Sequence, residues 1–367
     1  MKRFLFTGLS LLFLGQVNAL NRFPKPDFES GYKYPVITYP VPHEALWVTV
    51  DIILLILLMS IAAWAVLKKQ TRKPIIWISI ISVAYFGFFR TGCVCSIGSI
   101  QNVSLALADG NYILPLSVLL FFILPILFAF LFGRVFCSGV CPFGALQELV
   151  NLKNYRLSKS MAALLGMIPW FYLIIAVLFA VTGSGFIICR FDPFIGIFRL
   201  GGDFGLILFG VLLLIAAIFT GRPFCRFICP YGALLSLFSR VSIWKVEITK
   251  KSCINCELCH NACPTDAIKP PYDNKVKENR MQGVKRIIIY FVSLPLIMIA
   301  GAWLMRSFSG DHQMYYAIAG ALAGLVVGIT LIRLSVKRNR KQYEIDNADC
   351  VACGRCFGYC PQNNLKL

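Results

Sequence analysis

The chain has 367 residues, of which 58% are hydrophobic and only 14% are charged. This excludes an ordinary soluble domain, in which about a quarter of the residues are charged. The 36 Lys and Arg residues outnumber the 17 Asp and Glu residues. They stand beside apolar runs, which is the pattern of membrane topology, so the excess charge does not indicate a nucleic-acid partner. The 15 cysteines have metal-type spacings, which excludes the disulfide framework of a small secreted domain.

The N-terminal residues 1–19 have the features of a signal peptide. Two basic residues precede an apolar run from Phe4 to Leu14, and a small-residue cleavage site ends at Ala19. An uncleaved membrane anchor is the competing interpretation. Residues 20–45 contain five prolines among aromatic residues, so we expect an extended segment outside the membrane.

Seven apolar spans follow, and they predict an all-α polytopic membrane protein with about seven transmembrane helices. Most of them approach the ~20 residues that a helix needs to cross a hydrocarbon layer of ~30 Å. The second and the fifth are the shortest. The spans cover residues 46–67, 74–89, 112–132, 161–181, 204–220, 287–305 and 314–332.

Basic residues in the connecting loops predict the orientation. Lys and Arg cluster after the first span, before the fourth, between the fifth and the sixth, and after the last span. By the positive-inside rule these loops are cytoplasmic and the N-terminus is outside, which agrees with a signal peptide. We therefore expect a multi-pass protein in the lipid of a bacterial cytoplasmic (inner) membrane.

An internal repeat follows the third and the fifth spans. The segment GRVFCSGVCPFGAL at residues 133–146 matches GRPFCRFICPYGAL at residues 221–234. Both copies follow the cytoplasmic end of a span, so they lie on one face, as parallel repeats would. Free or disulfide-linked thiols at helix ends are one interpretation. The other is a further iron–sulfur cluster held between the copies by Cys137, Cys141, Cys225 and Cys229.

Two longer cysteine runs dominate the C-terminal third. Each reads C-x2-C-x2-C-x3-C-P, the run that binds a [4Fe–4S] cluster in bacterial ferredoxins. A structural zinc site is the alternative, but zinc usually pairs two CxxC units across a longer gap. The runs are Cys253, Cys256, Cys259 and Cys263 before Pro264, and Cys350, Cys353, Cys356 and Cys360 before Pro361.

The fourth cysteine of such a run ligates the other cluster in two-cluster ferredoxins. The sequence therefore predicts two [4Fe–4S] clusters with crossed ligation in a split bacterial-type dicluster ferredoxin module. A complete helical hairpin separates the two runs, so it must leave and return at nearly the same place. Its small residues permit tight packing. The predicted ligand sets are Cys253, Cys256, Cys259 and Cys360 for one cluster, and Cys350, Cys353, Cys356 and Cys263 for the other.

The repeated GRxFCxxxCPxGAL motif amid membrane helices, followed by a ferredoxin run, resembles the membrane polyferredoxins of the NapH and NosR type. The resemblance covers roughly residues 110–265 well and the tail more loosely. It implies that the paired motifs and the ferredoxin cysteines are functional ligands. It also implies quinol-linked electron delivery towards periplasmic nitrate or nitrous oxide reductases. This chain departs from the pattern because its second ferredoxin run follows an added hairpin.

Three cysteines fall at the predicted outer face, namely Cys93, Cys95 and Cys189. Their places before the third and fifth spans suggest a redox or metal site, although small apolar packing or a disulfide are alternatives. Asp51, near the outer end of the first span, is either a functional ionisable residue or a hydrated interfacial one. The three histidines are not placed to hold a bis-His haem across the bilayer.

These observations predict a membrane-bound iron–sulfur electron-transfer protein. Its donor would be a cytoplasmic reductant or the quinone pool, and its acceptor an extracytoplasmic redox partner, with a flavoprotein as one candidate. Such a chain would be an electron-transfer subunit of a quinol dehydrogenase-type system, and no catalytic residue is assigned. The alternative is an iron–sulfur assembly or metal-handling factor that reduces a metal or a thiol for another respiratory complex.

The predicted organisation has six parts. They are a signal peptide (1–19), an extracytoplasmic extended segment (20–45), a membrane domain with the two CxxxCP repeats (46–244), a first ferredoxin half (245–284), a transmembrane hairpin (285–334) and a second ferredoxin half (335–367).

Overall fold

The computed structural model describes residues 45–92, 96–110, 112–199, 201, 203–248, 253–272, 280–307, 313–335, 339–361 and 365–366. The predicted signal peptide and nearly all of the proline-rich segment lie outside these residues, and so do Cys93 and Cys95.

The chain is mostly helical. In chain order the larger helices are α1 (Ala45–Trp64, continued by a π-helical stretch Ala65–Lys69), α2 (Lys73–Ser82, continued by Val83–Phe89), α3 (Ser99–Ala108), α4 (Leu116–Phe132), α5 (Pro142–Val150), α6 (Lys159–Leu165) and α7 (Ile168–Val181). They are followed by α8 (Ile187–Arg190), α9 (Pro193–Arg199), α10 (Phe204–Phe219), α11 (Pro223–Phe227), α12 (Pro230–Ser239), α13 (Leu258–Ala262), α14 (Arg280–Arg306), α15 (Gln313–Ser335) and α16 (Arg355–Tyr359).

Among the described residues, four helices are long and apolar enough to cross a membrane. They are Leu46–Lys69, Lys159–Val181, Ile289–Arg306 and Gln313–Ser335. Three shorter apolar helices, Lys73–Phe89, Leu116–Phe132 and Phe204–Phe219, fall on the remaining predicted spans. The apolar helices support a membrane protein, whereas the exact count of seven spans stays a prediction.

A buried ion pair joins the first two apolar helices. The Arg90 guanidinium donates two hydrogen bonds to Asp51 Oδ2, at 3.0 and 2.7 Å, and the Tyr85 hydroxyl donates to Asp51 Oδ1 at 2.9 Å. Asp51 is 1% exposed, so the hydrated interfacial interpretation is wrong for this carboxylate. The pairing neutralises both charges in apolar surroundings, where an unpaired charge would be costly.

Four short strands join the two ferredoxin runs. Strand β1 (Glu247–Ile248) pairs antiparallel with β4 (Leu365–Lys366), and β2 (Ile268–Lys269) pairs antiparallel with β3 (Glu344–Ile345). Each pair therefore has one strand from beside the first run and one from beside the second. The hairpin between the runs follows β2 and precedes β3, so the chain leaves and returns at the same strand pair.

The hairpin helices α14 and α15 pack backbone against backbone. A Cβ added at Gly324 would meet Ile297 O at 2.5 Å, and Gly301 and Gly320 lie against each other's carbonyl groups. Only glycine permits so close an approach, which matches the small-residue packing that the sequence predicts.

Candidate iron–sulfur centres

Twelve cysteines gather in three groups, which we name sites A, B and C. Site A comprises Cys253, Cys256, Cys259 and Cys360; site B comprises Cys263, Cys350, Cys353 and Cys356; site C comprises Cys137, Cys141, Cys225 and Cys229. The members of each site are close enough for their thiols to interact electrostatically. Among the described residues, no three His, Cys, Asp or Glu side chains are arranged to hold a single metal ion.

Site A takes three cysteines from the first ferredoxin run and one from the second. Asn255 and Glu257 have positive φ angles of 55° and 65°, which turn the chain sharply between the cysteines. Burial, and then the other three thiols of site A, raise the pKa of Cys259 to about 11. Cys256 is exposed, so site A opens to the protein surface.

Site B takes three cysteines from the second ferredoxin run and one from the first. Ala352 and Gly354 have positive φ angles of 50° and 72° and make the equivalent sharp turns in the second run. Burial raises the pKa of Cys350 to about 12, and the neighbouring thiols Cys263 and Cys353 add to the shift. The four site B cysteines line one cavity.

The fourth cysteine of each run thus lies with three cysteines of the other run. Cys263 reaches site B, where its Sγ accepts a hydrogen bond from the backbone N–H of Ala267 at 3.3 Å. Cys360 reaches site A, where it interacts with Cys259. This is the grouping that crossed ligation requires, and cluster binding by these residues stays a prediction.

Site C lies between the two copies of the internal repeat. The first copy forms a π-helical turn, Phe136–Val140, followed by α5, and the second forms α11 followed by α12. Pro142 and Pro230 start the following helices, where a missing N–H leaves no hydrogen bond unmade. All four cysteines are 6–7% exposed. Burial raises the pKa of Cys141 well above its ordinary value, and the other three thiols of site C raise it further.

Equivalent glycines of the two copies allow this convergence. A Cβ on Gly144 would lie 3.5 Å from Cys225 Sγ in the other copy. A Cβ on Gly232 would lie 2.9 Å from Cys225 O and 3.2 Å from Arg134 Nη2. Both glycines come three residues after the second cysteine of their motif, so the repeat itself brings the backbone close to the site.

Two arginines, also equivalent in the repeat, border site C. Arg134 Nη1 donates to Ala348 O at 3.0 Å, and its Nη2 lies 4.0 Å from Cys137 Sγ. Arg222 is 0% exposed and donates to the carbonyl groups of Cys137 and, at 2.6 Å, Ser138. The sequence shows both arginines in the motif, but it assigns them no role.

Glu148 forms ion pairs with three arginines. No pattern in the sequence marked this residue as part of a site. The pairs are with Arg355 at 2.7 Å, Arg72 at 2.9 Å and Arg222 at 3.1 Å. Burial alone would raise the pKa of Glu148, but Arg222, Arg355 and Arg72 hold it below its usual value. The carboxylate follows the first repeat copy, and Ser236 stands at the equivalent position of the second.

The donor set of site C fits an iron–sulfur cluster. The four thiols are buried, and the pKa values of Cys141, Cys225 and Cys229 are raised by burial and by neighbouring thiols. Such a group favours a bound cation that stabilises the thiolates. Gln147 Nε2 lies 3.6 Å from Cys225 Sγ, and the Gly232 N–H donates to Cys229 Sγ at 3.3 Å. Arg134 Nε is buried without a hydrogen-bond partner in the described part of the chain. Such donors around sulfur stabilise a cluster and tune its potential.

The predicted outer site is only partly described. Cys189 lies in α8 and is exposed, and the neighbouring Ile188 N–H donates to buried Gln101 Oε1 at 2.9 Å. Since Cys93 and Cys95 fall outside the described residues, a shared site of the three cysteines stays a prediction.

Comparison with known proteins supports iron–sulfur binding. A family model described as a 4Fe-4S binding domain matches residues 114–159 and, a second time, residues 203–249. A second model with the same description matches residues 246–269. The first two segments contain the site C cysteines, and the third contains the first ferredoxin run.

Curated relatives point the same way. The chain is 30% identical to the regulatory protein NosR of Stutzerimonas stutzeri over 54% of this chain and 30% of that protein. It is 29% identical to the putative electron transport protein YccM of Escherichia coli, over 46% of this chain and 52% of that one. It is 26% identical to the ferredoxin-type protein NapH of Escherichia coli, over 43% and 57%. The chain therefore spans between 30% and 57% of the length of these relatives.

No solved structure matches the chain. The matches to NosR and NapH confirm the resemblance to iron–sulfur, ferredoxin-type membrane proteins.

Proposed function

We propose that this ferredoxin-type membrane protein carries three [4Fe–4S] clusters, at sites A, B and C, and passes electrons along them. The donor is a cytoplasmic reductant or the quinone pool, and the acceptor lies at the outer face. The proposal includes crossed ligation at sites A and B, seven membrane spans, and a ferredoxin module on the cytoplasmic side of an inner membrane. It keeps the organisation predicted from the sequence, with residues 46–244 as the membrane domain and residues 245–284 and 335–367 as the ferredoxin halves.

The order of the three sites carries this proposal. Cys356 of site B interacts with Cys259 of site A. Arg222 interacts with Cys353 of site B and with Cys225 of site C. Site B therefore neighbours both other sites. Electron transfer requires a series of closely placed centres, and the order A–B–C supplies one.

Exposure supports the assignment of the two ends. Cys256 of site A is exposed, whereas all four cysteines of site C are buried next to the apolar helices α4 and α10. Site A is therefore the end that a water-soluble donor reaches. Site C is the end that hands electrons to the membrane, or receives them from it.

Close packing supports short steps between the sites. Gly221, which precedes Arg222 in the second repeat copy, lies directly against Pro264, which follows Cys263. A side chain at position 221 would separate the first ferredoxin run from the repeat. The contact brings a site B ligand beside a segment that leads into site C.

The hydrocarbon layer is ~30 Å thick, so clusters on one side do not reach the other face alone. In this proposal a quinone, or a redox site at Cys93, Cys95 and Cys189, completes the route. An extracytoplasmic redox protein is then the acceptor.

Iron and acid-labile sulfide measured in the anaerobically purified protein test the proposal. Three four-iron clusters give about twelve irons per chain. The double variant Cys137→Ser/Cys225→Ser should retain about eight, because sites A and B are untouched. About eight irons in both proteins would leave site C with a thiol role and contradict the three-cluster proposal.

A further inference from the structure

A buried chain of charged side chains connects site B with site C. Arg355, which precedes the site B ligand Cys356, donates to Glu148 Oε1 at 2.7 Å. Glu148 Oε2 accepts from Arg222 Nε at 3.1 Å. Arg222 in turn donates to the carbonyl group of the site C ligand Cys137. Covalent and hydrogen bonds therefore run without a break from one predicted cluster ligand to another.

The charges in this chain are shielded from water. Arg222 is 0% exposed, Glu148 is 5% exposed and Arg355 is 7% exposed. Charges in such surroundings act over longer distances and are screened by salt far less than surface charges. Any change in charge here is therefore felt at both neighbouring sites.

The electrostatic contacts show which thiols are affected. Arg222 interacts with Cys353 of site B and Cys225 of site C, and Glu148 interacts with Cys353 as well. Arg72, the third partner of Glu148, has a side chain that is 35% exposed. It is thus a member of the same ion-pair network that is better hydrated.

We propose that Arg222 and Glu148 set the reduction potentials of the clusters at sites B and C, in opposite directions. The inference rests on the proposed function, since it assumes clusters at these sites. Reduction adds one electron to a cluster, so a nearby positive charge stabilises the reduced form and raises the potential. The positive charge of Arg222 raises both potentials, and the negative charge of Glu148 lowers them and so partly offsets this effect. Both are positioning residues that act on the clusters through their charge and do not ligate iron.

EPR-monitored redox titration of the detergent-purified protein tests this by the sign of the shifts. Arg222→Gln should lower the potentials of sites B and C, because it removes a positive charge. Glu148→Gln should raise them, because it removes a negative charge at nearly constant shape. Site A is the internal reference and should move least. Arg72→Gln is the matched control: it breaks an ion pair to the same carboxylate, but the Arg72 side chain is 35% exposed. Water screens its charge more than that of buried Arg222, so this variant should shift the potentials less than Arg222→Gln.

Structural damage is distinguished from a charge effect in two ways. Arg222→Lys keeps the charge but loses the paired donors of the guanidinium group, so it should restore the potentials that Arg222→Gln lowers. If Arg222→Gln fails to fold, the upward shift in Glu148→Gln still decides the proposal. Shifts of the same sign in the two charge-removing variants, or unchanged potentials in Glu148→Gln, would overturn it.

Failure of the proposed function gives a different result. If the wild-type protein holds only about eight irons, the third cluster is absent. The opposite shifts of the site B potential then still test the roles of Arg222 and Glu148.

Discussion

The carboxylate of Glu148 is the residue on which three parts of the chain converge. It joins the start of α2 through Arg72, the second repeat copy through Arg222 and the second ferredoxin run through Arg355. Removing one partner of a buried ion pair typically costs about 3–5 kcal/mol, because the other charge is left uncompensated. The network therefore holds the second ferredoxin run against the start of α2 and the two repeat copies.

The pH dependence of stability tests this role. Because its pKa is lowered in the folded protein, Glu148 stabilises the fold above its ordinary pKa of about 4.3. That contribution is lost as the pH falls through the lower folded-state value. We expect Glu148→Gln to unfold at a lower temperature than the wild type near neutral pH, and the gap to close below about pH 4.

Glu247→Gln is the control for this measurement. Glu247 pairs with Lys245 at 3.1 Å, but its side chain is 58% exposed. A surface pair of this kind contributes at most about 1 kcal/mol, so the melting temperature should hardly change. An equal loss of stability in the two variants would contradict the special role of Glu148.

A second residue-scale prediction concerns the crossed cysteines. Cys360→Ser should alter the EPR signal of site A, because Cys360 interacts with Cys259 although it belongs to the second run. Cys263→Ser should alter the signal of site B by the same reasoning. If each variant changed only the cluster of its own run, the crossed ligation would be wrong.

The cysteines of the three sites can be predicted from the sequence, but the polar residues around them cannot. Spacing alone marks a cysteine run, since each motif is local in the chain. Glu148 carries no such mark, because its three partners lie 74, 76 and 207 positions away. Gln147 escaped for the same reason, since its contact with Cys225 spans 78 positions.

At the scale of the elements, the hairpin α14–α15 lets the two ferredoxin runs meet. Its glycines bring the helix backbones into contact at Gly301, Gly320 and Gly324. The strand pairs β1–β4 and β2–β3 then join the segments on either side of it. Sites A and B depend on this, because each takes cysteines from both sides of the hairpin.

Enlarging a hairpin glycine should therefore impair cluster binding at a distance. Gly320→Leu forces the helices apart, and we expect lower iron content at sites A and B with the site C iron retained. Ile318→Phe is the control, since Ile318 is 51% exposed and a larger ring there meets no packed backbone. Full iron content in Gly320→Leu would show that the ferredoxin halves assemble without the tight hairpin.

Hydropathy located the apolar helices well, because each is a long apolar run. It predicted the ends of these helices less accurately. The third span was expected to begin at residue 112, whereas α4 begins at Leu116, after Pro115. Proline there restricts the preceding chain and starts the helix. The small residues of the hairpin were identified from the sequence, but the packing of Gly301 against α15 was not. A pattern of small residues on one helix does not reveal which residue of another helix packs against it.

At the scale of the whole molecule, the orientation in the membrane fixes which partners reach which site. Cys256 and Cys189 are both exposed, and the proposed topology assigns them to opposite sides. After chelation and mild reduction, a membrane-impermeant thiol reagent should label Cys189 in right-side-out vesicles and Cys256 in inverted ones. A Cys189→Ser variant identifies the first signal. The reverse pattern would invert the proposed topology.

The central claim is that the three sites form one series, with site B in the middle. Spin–spin coupling in the EPR spectrum of the fully reduced protein tests that order most directly, because dipolar coupling falls steeply with distance. We expect coupling between A and B and between B and C. Loss of the site B cluster in Cys353→Ser should leave A and C essentially uncoupled. Strong coupling between A and C in that variant, or no coupling in the wild type, would contradict it.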